Sequence, residues 1–164
     1  MITFITGGVK SGKSSYALQL AEKRFSRKTY IATAVVEDDE MKERVRKHRA
    51  ERDGTYTTIE EPLDLHRVTA ENIILDDITL WMGNLMYRKR EQEWMDILRG
   101  FFDANTTEII VISNETGWGN IPMDSTARKY NRLLGAANAY IADRADEVYL
   151  MVSGIPVRIK EVAS

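Results

Sequence analysis

The sequence predicts an α/β domain with a mostly parallel central sheet and helices on both faces. Two observations carry this. Short β-branched runs alternate with helix-period segments along all 164 residues, the order that parallel strands with crossover helices require. The first run also passes through a glycine-rich loop straight into a helical pattern, the strand–loop–helix order of a phosphate-binding unit.

Taken in order, Ile2–Thr6 is a short apolar strand ended by Gly7 and Gly8, after which helical spacing takes over through Tyr16, Leu18, Leu20 and Ala21. Thr29–Thr33 reads as a second strand. Glu37, Asp38, Asp39 and Glu40 suit the first turn of a helix running to about Arg52, because carboxylates oppose the positive end of the helix dipole. Asp53–Pro62 reads as loop and turn, Asn72–Leu75 as a short strand closed by Asp76 and Asp77, and about Thr79 to Phe102 as one long helix. Glu108–Ser113 is the most β-branched run, and Gly117–Pro122 forms a loop at its C-terminal end. A helix from about Asp124 to Asp143, capped by Asp124 or Ser125, precedes a final strand pair at Val148–Val152 and Val157–Lys160. No repeat, linker or low-complexity tract interrupts this, and the length suits a single domain over residues 1–164.

Composition excludes several function classes. A net charge of -2 and a pI near 5.8 give no global positive field for nucleic acid or an anionic bilayer, so phosphate binding is expected to be local. The absence of cysteine excludes disulfides, thiolate metal sites and a cysteine nucleophile. The apolar N-terminus is one strand long and runs into the glycine loop without a cleavage-site pattern, and no run approaches the roughly 20 apolar residues of a membrane span. Cytoplasmic residence is the expectation.

The loop Gly7-Gly8-Val9-Lys10-Ser11-Gly12-Lys13-Ser14 fits G-x-x-x-x-G-K-[ST] in the required context, which identifies a P-loop NTPase pattern. Glycines let successive amides curl around phosphate oxygens, Lys13 brings a point charge to the β/γ phosphates, and the Ser14 hydroxyl suits Mg2+. A glycine turn that merely caps a helix would not need both the lysine and the serine. Asp76 and Asp77 end a buried strand where an acid on the Mg2+ side would stand; Asp76, directly after the apolar run, is the favoured ligand and Asp77 the helix cap. The competing reading is a carboxylate pair that marks a turn.

Two histidines occur. His66 lies in a polar stretch without companion donors and reads as a solvated side chain. His48 shares a helical stripe with Arg44 and Arg52, one turn to either side. Flanking guanidiniums favour a neutral, nucleophilic imidazole and offer forks for phosphate oxygens. Spacing alone leaves two readings of His48, a nucleophile for phosphorus and an exposed residue on a basic helix.

The succession of motifs resembles the bifunctional adenosylcobinamide kinase / adenosylcobinamide-phosphate guanylyltransferase family over nearly the whole chain. It is carried by Ile5–Ser14, Tyr30–Thr33 with Asp39–Met41, Arg44–Arg49, Thr58–Leu63, Asp76–Leu85, Ser113–Pro122 and Ala145–Lys160. Asp76 stands where a glutamate is common in the family, Tyr56 where a tryptophan is, and the connection after Tyr87 looks short.

The resemblance implies a RecA-like fold, a trimer and two reactions. ATP or GTP phosphorylates adenosylcobinamide; GTP then guanylylates His48, and GMP passes to adenosylcobinamide phosphate to give adenosylcobinamide-GDP. It implies His48 and Lys13 as catalytic groups, and Mg2+ at Ser14 and Asp76. The nucleotide site would comprise Gly7 through Ser14 with Thr33, Arg44, Arg49, Arg52, Glu60 and Asp76. Asn114, Glu115 and Trp118 are further candidates for substrate contact, whereas Trp81 and Trp94, at helical spacing, read as packing residues. The alternatives are a small-molecule kinase without guanylyl transfer, a hydrolysis-only ATPase and a nucleotide-dependent switch.

Overall fold

The structure, a computed structural model, describes residues 1–35, 54–119 and 121–161. Strands β1 (Ile2–Gly7), β2 (Lys28–Ala32), β3 (Tyr56–Glu60), β4 (Ile73–Asp76), β5 (Ile109–Ile112), β6 (Glu147–Val152) and β7 (Ile155–Lys160) form one sheet in the order β3-β2-β4-β5-β1-β6-β7. Strands β3 through β6 in that order are parallel, and β7 returns antiparallel to β6. Helices are α1 (Lys13–Arg24), α2 (Ile78–Tyr87), α3 (Trp94–Ala104) and α4 (Ser125–Arg144).

Strand alternation splits the core in two. Ile73, Leu75, Ile109 and Val111 face one way and pack with Trp81, Leu85, Leu98, Phe101, Leu134 and Ile141 of α2, α3 and α4. Ile74, Ile110 and Ile112 face the other way and pack with Ala17 and Ala21 of α1. A strand buried on both faces reads as a continuous apolar run rather than an alternating one, which is why Ile109-Ile110-Val111-Ile112 carries four branched residues together.

Two expectations need correction. Residues 53–62 are not all loop: Tyr56–Glu60 pairs in parallel with β2, from Lys28 opposite Tyr56 to Ala32 opposite Glu60. This edge strand is largely exposed and so lacks an apolar signature. It is anchored by buried Lys28, whose Nζ donates to Glu22 Oε2 and Thr55 Oγ1 and lies 4.9 Å from the Tyr56 ring centroid. The long helix from Thr79 to Phe102 is two helices. Lys89 turns into the left-handed region at φ 57°, a 3-10 turn follows at Glu91–Glu93, and Arg90 bonds both Glu93 and Asp64. A left-handed helix stop is usually glycine or asparagine, so a lysine there gave no warning. Asp124, not Ser125, caps α4 by accepting from the Ala127 amide at 2.7 Å.

Candidate nucleotide and acceptor site

The glycine loop joins the C-terminal end of β1 to α1. Gly7 and Gly12 lie at φ 148° and 92°, and Lys10, at φ 56°, adopts the same region without being glycine. A β-carbon on Gly7 would stand 2.6 Å from the Met151 carbonyl oxygen and 2.9 Å from Ser11 Oγ, so no larger residue fits. The Gly154 amide, in the β6–β7 turn, donates to the Ser11 carbonyl at 3.0 Å and braces the loop from behind.

α1 starts at Lys13 with no side-chain cap and no acid in its first turn. No side chain at the cap position and no acid of the first turn competes for its leading amides, the condition under which a helix N-terminus takes an anion. Lys13 is 7% exposed, and its ammonium folds back to donate to the Gly8 carbonyl at 2.6 Å. Ser14 is half-buried on the same turn, and Val9 and Lys10 are exposed at the loop tip. Ser11 Oγ and Thr6 Oγ1 are buried without a hydrogen-bond partner among the described residues.

Two strands away, β4 delivers the acid pair through a cis Asp76–Asp77 peptide. Asp77 is buried and caps α2, accepting from the Thr79 amide at 2.7 Å. Burial, with the adjacent Asp76 carboxylate second, pushes its pKa up to about 6, against the Thr79 hydrogen bonds and the Lys13 charge. Asp76 is partly exposed, and its carboxylate accepts from the Tyr30 hydroxyl. Thr33 is fully buried; its hydroxyl donates to the Asp77 carbonyl at 2.8 Å and accepts from the Asp77 amide at 2.9 Å, which fixes the pair against the end of β2. Glu60 is exposed at the end of β3, in register with Ala32.

The segment after β5 lies against the glycine loop: the Glu115 amide donates to the Gly7 carbonyl at 2.9 Å, and the Asn114 amide to Thr79 Oγ1 at 2.8 Å. Trp118 is 74% exposed, whereas Trp81 and Trp94 are core residues, as their spacing suggested. His66 is exposed on a 3-10 turn. His48, Arg44, Arg49 and Arg52, with the helix expected to carry them, lie outside the described residues.

With this geometry in place, the sequence comparisons are decisive. The cobinamide kinase / cobinamide phosphate guanyltransferase family profile matches residues 3–159. The chain belongs to that family. The bifunctional adenosylcobalamin biosynthesis protein CobP of Pseudomonas aeruginosa is 36% identical, covering 98% of both chains. The corresponding CobU proteins of Escherichia coli and Salmonella typhimurium are each 32% identical, over 98% of this chain and all of theirs.

In this cobinamide kinase / guanyltransferase chain three structured contacts escaped the sequence reading. Tyr30 places its hydroxyl on Asp76; a tyrosine inside a buried strand needs a polar partner, and that was its signal. Asn138 sits among Leu134, Ala137 and Ile141 on the buried face of α4 and donates to the Asn114 carbonyl at 3.0 Å. The Tyr130 hydroxyl donates to the Thr79 carbonyl at 2.9 Å, and burial, then the nearby Asp77 charge, raises its pKa. Among the described residues no helix is long and apolar enough to cross a membrane.

Proposed function

We propose that this chain runs both reactions of its family from one phosphate loop. In the first, the acceptor hydroxyl of cobinamide attacks the γ-phosphorus of ATP or GTP, its proton departs to solvent, and the nucleoside diphosphate leaves. In the second, His48 attacks the α-phosphorus of GTP and pyrophosphate leaves; the phosphate of cobinamide phosphate then takes the GMP group and frees His48. A covalent phosphoramidate divides one difficult transfer into two easier ones. Family membership supports this reading, and the single structural observation behind it is the uncapped N-terminus of α1, with buried Lys13 in the glycine loop beside the Asp76–Asp77 pair.

Each loop group has a task. Amides from Gly8 through Ser14 cradle the phosphates, and Lys13 exchanges its bond to the Gly8 carbonyl for phosphate oxygens. Arg44, Arg49 and Arg52 hold the nucleotide beside His48, Glu60 lies at its edge, and Thr33 contributes by fixing the acids. The Ser14 hydroxyl and the Asp76 carboxylate are hard oxygen donors that fit Mg2+, which binds through one or two protein oxygens plus phosphates. Mg2+ held there would neutralise phosphate charge during transfer.

The RecA-like form of the P-loop NTPase fold is supported by the strand order, and a single domain by the one continuous sheet. The reading further takes the enzyme as a cytoplasmic homotrimer. The deciding experiment incubates the protein and Mg2+ with GTP labelled at the α-phosphate, beside His48→Ala. Acid-labile label that survives denaturation and is absent from the variant supports the guanylyl-enzyme. No label under conditions where cobinamide is phosphorylated leaves a kinase alone and removes His48 from the mechanism.

A further inference from the structure

A cleft of about 470 Å3 opens between α2 and α4, lined by Gly83, Met86 and Tyr87 on one side and Thr126, Ala127 and Tyr130 on the other. Gly83 lies inside a helix, where glycine is a poor choice and the backbone conformation does not require it. A β-carbon added there would meet nothing within 4 Å. What glycine contributes at position 83 is open floor.

Exposed apolar side chains occur in the cleft wall and in the connection that leads to Asp124. Tyr87 is 76% exposed, and Met123, beside the cleft-lining Asp124, is 98% exposed. Ile121 and Trp118, earlier in the same connection, are 84% and 74% exposed. Single exposed apolar residues are ordinary, but Tyr87 in the cleft wall with Met123 next to Asp124 adds exposed apolar surface to an apolar cleft, the kind of surface that binds something.

A chain of hydrogen bonds links the cleft to the phosphate loop. Tyr130 in the cleft hydrogen-bonds the Thr79 carbonyl, and Thr79 in turn bonds Asp77 and Asn114. Glu115, next in the chain, donates to Gly7 of the glycine loop. Asn114 and Glu115 thus meet Thr79 and the glycine loop, and Asp124, further along the chain, lines the cleft.

We propose that the cleft, with exposed Tyr87 in its wall and Met123 next to Asp124, binds the corrin ring of cobinamide, so that the acceptor arm runs past Thr79 to the phosphate loop. This rests on the kinase reading above. The occupant follows from chemistry. Among the described residues no cationic side chain lines the cleft, and what they present is mainly apolar surface rather than a phosphate site. Its single carboxylate, Asp124, is engaged as the cap of α4. A broad, apolar-faced ring edged with neutral amides suits such a surface, seating one edge over Gly83 while its face rests on the exposed side chains.

Gly83→Leu tests this because its β-carbon meets no neighbour, the rest of its side chain fills the floor, and leucine improves helix propensity. It is compared with Met123→Ser and with Met95→Ser, an exposed change on α3 as control. Initial rates give KM for cobinamide and for nucleotide, α-labelled GTP gives guanylylation, and light scattering gives the mass. The expected result is a cobinamide KM raised about tenfold in Gly83→Leu and less in Met123→Ser, equivalent to about 1.4 kcal/mol for the larger effect. Nucleotide KM, labelling, melting temperature and mass should match the control. An unchanged cobinamide KM overturns the proposal. So does a KM change accompanied by a change of mass, which would make this face an interface between copies. A wild-type chain that fails to phosphorylate cobinamide at all is a separate failure, of the kinase reading itself.

Discussion

The Tyr30 hydroxyl, carried on β2 and only 3% exposed, donates to the carboxylate of Asp76 at the end of β4. One strand thus holds in place the acid that the neighbouring strand presents. Tyr30→Phe removes that donor and keeps the ring. Because Asp76 is partly exposed, water can replace the lost bond, so the stability cost falls at the low end of about 1–3 kcal/mol. The Mg2+ concentration for half-maximal kinase rate should rise about tenfold, as for loss of a group that orients a metal ligand. Urea unfolding and Mg2+ titration of the rate check the two effects separately.

Lys13→Met should cut turnover by about 10²–10³-fold while sparing the fold. Its ammonium is buried against a backbone carbonyl, and methionine keeps the packed stem of the side chain. Removal of one charge-stabilising group from a transition state commonly costs about 10²–10³-fold in rate. Single-turnover phosphorylation and thermal melting provide the comparison; a collapse of melting temperature equal to the loss of activity would count against a chemical role.

Asp64 gives a pH dependence of known sign. A hydrogen bond from Arg90 at 2.8 Å holds its carboxyl below the ordinary range, more than burial raises it. Its folded pKa is depressed, so the unfolded chain binds the proton more readily. The contribution is present above about pH 4 and fades as the pH falls through the folded value. Asp64→Asn should flatten the acid limb of the stability profile. Urea midpoints measured across that limb for both proteins decide it, and parallel limbs would remove Asp64 from the account.

Much of this architecture was legible because it rests on local rules. The apolar runs at Ile73 and Ile109 announced buried parallel strands, and the spacing of Gly7, Gly12, Lys13 and Ser14 announced the loop between strand and helix. Asp77 as a cap followed from a short acid ahead of a helical pattern. What escaped depends on partners distant in sequence. β3 is recognisable only from the strand it pairs with, because Tyr56–Glu60 buries little of its own side-chain surface. The break at Lys89 is stabilised by the Arg90–Asp64 pair, 26 residues apart. Tyr30 and Asp76 are separated by 46 residues, and no periodicity links them.

The two leading glycines of the loop are predicted to differ in kind. At Gly7, φ is 148° and an added methyl would press 2.6 Å from a backbone oxygen that cannot turn aside. Gly7→Ala should therefore cost about 1–3 kcal/mol of stability and displace the loop, losing nucleotide with it. Gly8 has no neighbour within 4 Å of the corresponding position and is exposed. Gly8→Ala should keep its stability within about 0.5 kcal/mol of the parent. It should still bind nucleotide more weakly, because the new methyl stands in the space through which phosphate oxygens approach the amides. Thermal melting paired with nucleotide titration separates the two cases. If Gly8→Ala binds ATP and GTP as tightly as the parent, the phosphates do not pass over Gly8, and the cradle must be formed from Ser11 onward.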